Sequence, residues 1–96
     1  MRRYVSSLIE LRQASFDTKN LIMTPKQSRM ARAALEWSLP DLAEKSGVAR
    51  ITCARFETGK GGAVSPDAVE KMRKALADAG ADFTRKAGRV GVTVPE

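Results

Sequence analysis

Histidine is absent from this 96-residue sequence, and Cys53 is its only cysteine. A disulfide within the chain and a zinc site built from Cys and His are thereby excluded. The lone thiol fits a reducing cytoplasm, which is the expected location. No apolar run approaches the roughly 20 residues that a membrane-spanning helix requires. The opening MRRYVSSLIELRQ has the basic start of a signal peptide, but Glu10 and Arg12 break its apolar run, so a cleaved leader is not expected. Aromatic residues are scarce at 5%, and alanine and leucine dominate the apolar set, which favours helix packing over a sheet sandwich. Acidic residues are outnumbered, 11 against 17 lysines and arginines, giving a net charge of +6. That balance suits an anionic partner, nucleic acid or an acidic membrane surface, without choosing between them. With no histidine and no evident carboxylate pair, nothing supplies a nucleophile and base. The chain is not expected to be an enzyme or to hold a cofactor or metal.

What is present is one domain's length of sequence with 43% apolar residues, enough for a compact but small core. Its most informative stretch is LPDLAEKSGVARITCARFETG, residues 39–59. This reads as two short helical patterns separated by Gly47, a residue that adopts the left-handed conformation at a helix end without a Cβ penalty. Leu42 and Ala43 give the first helix an inward side, and a second helix is expected from about Ala49 to Thr58. Two helices joined so tightly form a helix-turn-helix motif. At about 100° per residue, Arg50, Ile51, Ala54, Arg55 and Thr58 share one side of the second helix, and Ala49, Cys53 and Phe56 lie nearly opposite. Cys53 then reads as a small buried hydrophobe rather than a reactive thiol. An isoleucine set between arginines is odd for a face meant only for water. It suits a face that meets base edges, where Arg binds guanine and Ile touches a thymine methyl.

The segment resembles the lambda-repressor-like (Xre/Cro) family of helix-turn-helix DNA-binding domains. The matching residues are Leu42-Ala43, Gly47-Val48, Thr52, Cys53 in the place of a buried Ile or Val, Phe56 and Glu57-Thr58-Gly59, led into by Arg32, Leu35 and Trp37-Ser38. The likeness extends over residues 24–79. It implies sequence-specific binding of double-stranded DNA by a small transcriptional regulator acting as a homodimer. Arg50, Ile51 and Arg55 would read bases in the major groove, Ala54 would allow close approach, and Ala49 would bring the backbone near the duplex. Thr52, Lys60 and Lys26 would meet phosphates. The resemblance also implies that Glu57 pairs with Arg32 of the first helix. Two positions depart from the family: Leu39 replaces a frequent glutamine, and Pro40 removes a backbone N–H from the first motif helix. Phosphate anchoring by that helix therefore does not follow from the likeness.

The remaining elements are expected as follows. Residues 1–22 form an N-terminal extension in which Val5, Leu8, Ile9 and Arg12 have helical spacing. A helix packed on the body or on a second subunit, a basic arm along DNA and a disordered tail all fit it. Residues 23–80 are the helix-turn-helix domain. Thr24-Pro25-Lys26-Gln27 is a capping box with proline at the first helical position, and the helix it opens should run to about Trp37, with Met30, Ala34 and Trp37 on its inward side and Ala31 and Leu35 beside them. Ser38 caps the next helix, with Asp41 favouring its positive end. Gly59-Lys60-Gly61-Gly62 is a basic loop that lacks the pattern of a nucleotide-binding P-loop. Ser65-Pro66 opens a fourth helix with Val69, Met72, Leu76 and Ala79 inward, closed by Gly80. Residues 81–96 read as a β-hairpin tail with strands at 82–85 and 90–94, Val90, Val92 and Val94 lying on one side. The overall expectation is an all-α fold of four to five short helices, lambda-repressor-like, with a small C-terminal β-hairpin. A second reading is an interaction module that binds a protein partner, a toxin or polymerase component, through Ile51 and the valine-rich tail, with DNA binding incidental. No membrane partner is expected.

Overall fold

The computed structural model describes residues 22–96, so the readings placed on residues 1–21 lie outside it. Four helices precede a hairpin: α1 (Pro25–Leu35), α2 (Leu39–Ser46), α3 (Arg50–Thr58), α4 (Pro66–Asp78), β1 (Asp82–Lys86) and β2 (Arg89–Thr93). The fold is all-α with a small antiparallel hairpin.

Three helix starts are set by side chains that satisfy backbone N–H groups left over at the first turn. Thr24 Oγ1 accepts from the Gln27 N–H at 3.1 Å while Gln27 Oε1 accepts from the Thr24 N–H at 3.0 Å, with Pro25 opening α1. Ser38 and Asp41 repeat the exchange at α2, at 3.1 and 2.8 Å. Ser65 Oγ accepts from the Ala68 N–H at 3.1 Å, and Pro66 opens α4.

Helix α1 departs from expectation twice. It stops at Leu35 rather than near Trp37, because Glu36 turns left-handed at φ 62°. The Trp37 N–H then folds back onto the Arg32 carbonyl at 2.8 Å, and Arg32 Nη1 donates to the Trp37 carbonyl at 3.0 Å. The inward face is also rotated. Met30 and Ala34 are exposed, whereas Gln27 and Ser28 are buried beside the expected Ala31 and half-buried Leu35. Two of those inward residues are polar and find partners inside, so hydrophobic spacing alone could not identify them.

The core lies where the four helices meet, around the fully buried Ala31, Leu42, Cys53, Met72 and Leu76. Trp37 is half-buried against it, with the Lys45 ammonium 5.5 Å from its ring centroid. On α4, Met72 and Leu76 are buried and Val69 and Ala79 half-buried, so its inward stripe lies as expected. Gly80, at φ 110°, packs so close to the chain's end that a Cβ there would lie 2.8 Å from Pro95.

The hairpin turn is tighter than expected. Ala87 and Gly88 alone form it, both at positive φ, and Lys86 pairs with Arg89. This is the two-residue turn whose twist matches that of the strands. Opposed residues share a face of a hairpin, so the register places Phe83, Val92, Arg85 and Val90 on one side and Asp82, Thr84, Lys86, Arg89 and Thr93 on the other. Phe83 and Val92 pack on the core. Between them and the Arg85–Val90 pair, the Thr84–Gly91 step turns only backbone toward the helices. Gln27 Nε2 fills that gap, donating to the Thr84 carbonyl at 2.9 Å and the Gly91 carbonyl at 3.2 Å. An isolated two-stranded hairpin is marginal in water; here α1 holds it.

Candidate nucleic-acid interface

The site begins at the joint between α2 and α3. Gly47 takes φ 76°, and its N–H closes α2 on the Ala43 carbonyl at 2.9 Å. Val48 drops into the core, and Ala49 stands at the N-terminal cap of α3 with no side-chain hydrogen bond. Helix α3 thus begins at Arg50, one residue after its expected start. Three residues suffice for the chain to reverse and present α3 across α2, with Cys53 fully buried beneath it. The Cys53 thiol lies 3.8 Å from the Val48 carbonyl, and burial pushes its pKa up. Desolvation disfavours the thiolate, which leaves this cysteine a packing residue.

The opposite side of α3 is open. Arg50, Ile51, Arg55 and Thr58 are exposed, and Ala54 between them is half-buried. Ile51 keeps 62% of its surface, the most exposed large apolar side chain among the described residues. Ala49 and Lys60 are also exposed, whereas Thr52 is half-buried at the flank. Of the residues singled out from the sequence, Ala49, Arg50, Ile51, Arg55, Lys60 and Lys26 are thus exposed, and Thr52 and Ala54 are half-buried. Thr58 shapes the end of α3: its hydroxyl donates to the Ala54 carbonyl at 2.8 Å and accepts from the Lys60 N–H at 3.2 Å. Arg55 leans toward the loop that follows α3. Its side chain lies over Gly61, where a Cβ would be 3.0 Å from Arg55 Cγ and 3.1 Å from Nε.

The acidic residue of α3 is turned away from this surface. Glu57 is only 3% exposed, and Arg32 clasps its carboxylate, Nη2 to Oε1 at 2.7 Å and Nε to Oε2 at 2.9 Å. Ser28 Oγ adds a 2.6 Å hydrogen bond to Oε2. The hydrogen bond to Glu57, first, holds the Arg32 pKa above its usual value. A third donor, Arg29 Nη1, bonds the Glu57 carbonyl, placing a cation on the negative end of α3 and satisfying a carbonyl the helix itself leaves free. The Arg32–Glu57 pair matches the expectation from the resemblance. Ser28 and Arg29 were missed, although Ser28 and Arg32 stand four apart and so share a side of α1.

The start of α2 offers an anion little. Pro40 carries no N–H, the Asp41 N–H is taken by Ser38, and Leu39 packs against the core. The Asp41 carboxylate, its pKa lowered chiefly by the Ser38 N–H, places negative charge there. Cationic groups gather instead at the other end of the motif. Lys26 and Arg29 face Thr58 and Gly59 across an open depression of about 350 Å³. Among the described residues, no group of His, Cys, Asp and Glu could hold a metal ion.

A sequence model of a family described as Helix-turn-helix matches residues 29–77, half of the chain, which spans α1 from Arg29 to nearly the end of α4. No curated protein matches the chain.

Proposed function

The chain belongs to the Xre/lambda-repressor-like helix-turn-helix family of DNA-binding domains, and from that premise we propose that it binds double-stranded DNA sequence-specifically as a small transcriptional regulator. The observation that carries this reading is the outward face of α3. Arg50 and Arg55 flank an exposed Ile51, no described residue covers them, and the one carboxylate of the helix is neutralised inside. An α-helix with its side chains fits the major groove, where guanidinium groups pair with guanine and an aliphatic side chain meets a thymine methyl. In this reading Arg50, Ile51 and Arg55 read bases, and Ala54 and Ala49 let the backbone approach. Thr52, Lys60 and Lys26 hold the bordering phosphates, which position the protein without specifying sequence. The protein acts as a homodimer on two half-sites about one helical turn apart.

Selection of bound sites from a random duplex pool tests the proposal. The expected product is an enriched motif with two related halves. Binding that fades with salt and enriches no sequence would overturn specific recognition, since phosphate attraction alone is salt-labile and indifferent to sequence.

A further inference from the structure

The hairpin is a charged feature that recognition by α3 leaves unexplained. Its tip carries Arg85, Lys86 and Arg89, all exposed, and none of them forms an ion pair with a carboxylate among the described residues. The cations on α4 behave differently: Lys71, Lys74 and Arg73 each meet a neighbouring Asp or Glu. The tip is also firmly placed. Gln27 holds both strands one step below it, and Arg85 Nη2 lies 3.4 Å from the Ile22 carbonyl just ahead of α1.

The same turns of α1 hold the end of the recognition helix. Ser28, Arg29 and Arg32 grip Glu57 from one flank of α1, while Gln27 grips the hairpin from the next. Lys26 and Arg29 are exposed between these two attachments. A helix with its side chains is about 10–12 Å across, and the major groove is about 12 Å wide. Such a helix fills the groove, so α1 beside it lies over the sugar-phosphate strand that borders the groove, and the hairpin beyond α1 reaches toward the phosphates past that strand. We infer that the hairpin tip is a second DNA contact, in which Lys86 and Arg89, paired on the face away from the core, hold phosphates past the strand that borders the groove α3 reads. This rests on the DNA-binding reading above and extends it to a part of the chain outside the matched family segment. The contact contributes affinity, not base preference, because phosphates carry no sequence information directly.

The test is a salt titration of binding to the selected site and to random duplex, using the full chain and a variant with Lys86→Gln and Arg89→Gln. Each phosphate that the variant no longer neutralises should flatten the slope of log K against log salt by about 0.9, and two such phosphates by about 1.8. The ratio between selected and random duplex should stay unchanged. Lys86→Glu alone, an exposed single change that leaves the strands intact, should weaken both duplexes alike. Arg55→Ala, measured beside them, separates the two ideas. Wild-type slopes in both hairpin variants, with preference lost only in Arg55→Ala, would sink the hairpin contact and leave α3 recognition standing. No duplex binding by the unmodified chain would sink both.

Discussion

Arg32 and Glu57 join α1 to the last turn of the recognition helix through two parallel hydrogen bonds, 2.7 and 2.9 Å long, with the carboxylate 3% and the guanidinium side chain 20% exposed. The two ends of this pair are not equivalent. Arg32→Met strands a buried carboxylate with Ser28 as its remaining side-chain donor, and a charge left unpaired in a protein interior costs about 3–5 kcal/mol. Glu57→Gln keeps the shape and leaves a guanidinium that can turn toward water. Its cost should be nearer about 1–3 kcal/mol, the penalty of one weakened buried hydrogen bond. Urea denaturation of both variants checks the order. The double change Arg32→Met with Glu57→Leu should cost less than the sum of the singles, since neither partner is then left alone. Equal costs for the two single changes would refute the asymmetry.

The Ser38–Asp41 exchange at the start of α2 predicts a pH dependence. The Ser38 N–H holds the Asp41 carboxyl below its usual range. A carboxyl whose folded pKa is depressed contributes stability that is present above its unfolded value, about 3.9, and is lost as pH falls through the lower folded value. Asp41→Asn retains an acceptor for Ser38 but not the charge. The melting temperature of this variant should fall below that of the unmodified chain at neutral pH, and the two should converge as pH falls below about 4. A gap that stays constant down to the lowest pH would remove the carboxylate's role.

The location of these caps is legible in the residues because capping is local. A hydroxyl and a proline within the next two positions settle their own geometry, and Thr24, Ser38 and Ser65 stand where that pattern puts them, the first two with an acceptor three positions on. The outward face of α3 is legible for a similar reason, since period alone separates Arg50 and Arg55 from Cys53. The inward face of α1 is legible only in part: Ala31 and Leu35 stand on it as the spacing puts them, and Met30 and Ala34 do not. Its position is decided by Gln27 and Ser28 reaching Thr84, Gly91 and Glu57, partners 29 or more residues away in sequence. Nor could the residues say that Arg29 would close the end of α3, or that Glu36, a non-glycine, would take the left-handed turn that ends α1 early.

Cys53 should behave as a buried hydrophobe. Its side chain is fully buried, and burial raises its thiol pKa, so in the closed domain the thiol is both out of reach and short of the thiolate that alkylating reagents require. Iodoacetamide should modify the native protein slowly, at a rate that follows opening of the domain, and rapidly once denaturant is added. Fast modification under native conditions would show that α3 does not seal its inner side.

The base-reading and phosphate-holding roles on the α3 surface separate by variant. Arg55→Ala should cost about 1–3 kcal/mol on the selected site and relax preference at one base position, whereas Lys60→Ala should weaken selected and random duplex alike and flatten the salt slope by about 1. Competition binding against single-base variants of the selected site measures both. Equal losses on both duplexes from Arg55→Ala would reassign that arginine to the phosphates.

Gly61 gives the last prediction, because it tests whether Arg55 is held in place rather than merely present. Gly61 and Gly62 both have positive φ, 95° and 105°, so alanine strains the backbone at either position. They differ in what the new methyl meets. At Gly62 nothing lies within 4 Å, while at Gly61 the Cβ would press on Arg55 Cγ, Nε and Cδ at 3.0 to 3.3 Å. The arginine is long enough to yield, so the cost falls on where its guanidinium points and not on stability. Gly61→Ala should therefore lose preference at the same base position as Arg55→Ala, while Gly62→Ala should keep it, with the two glycine variants similar in melting temperature. If both glycine variants lose preference equally, loop strain is the cause and Gly61 is not a rest for the arginine. If neither does, Arg55 finds its base without support from the loop.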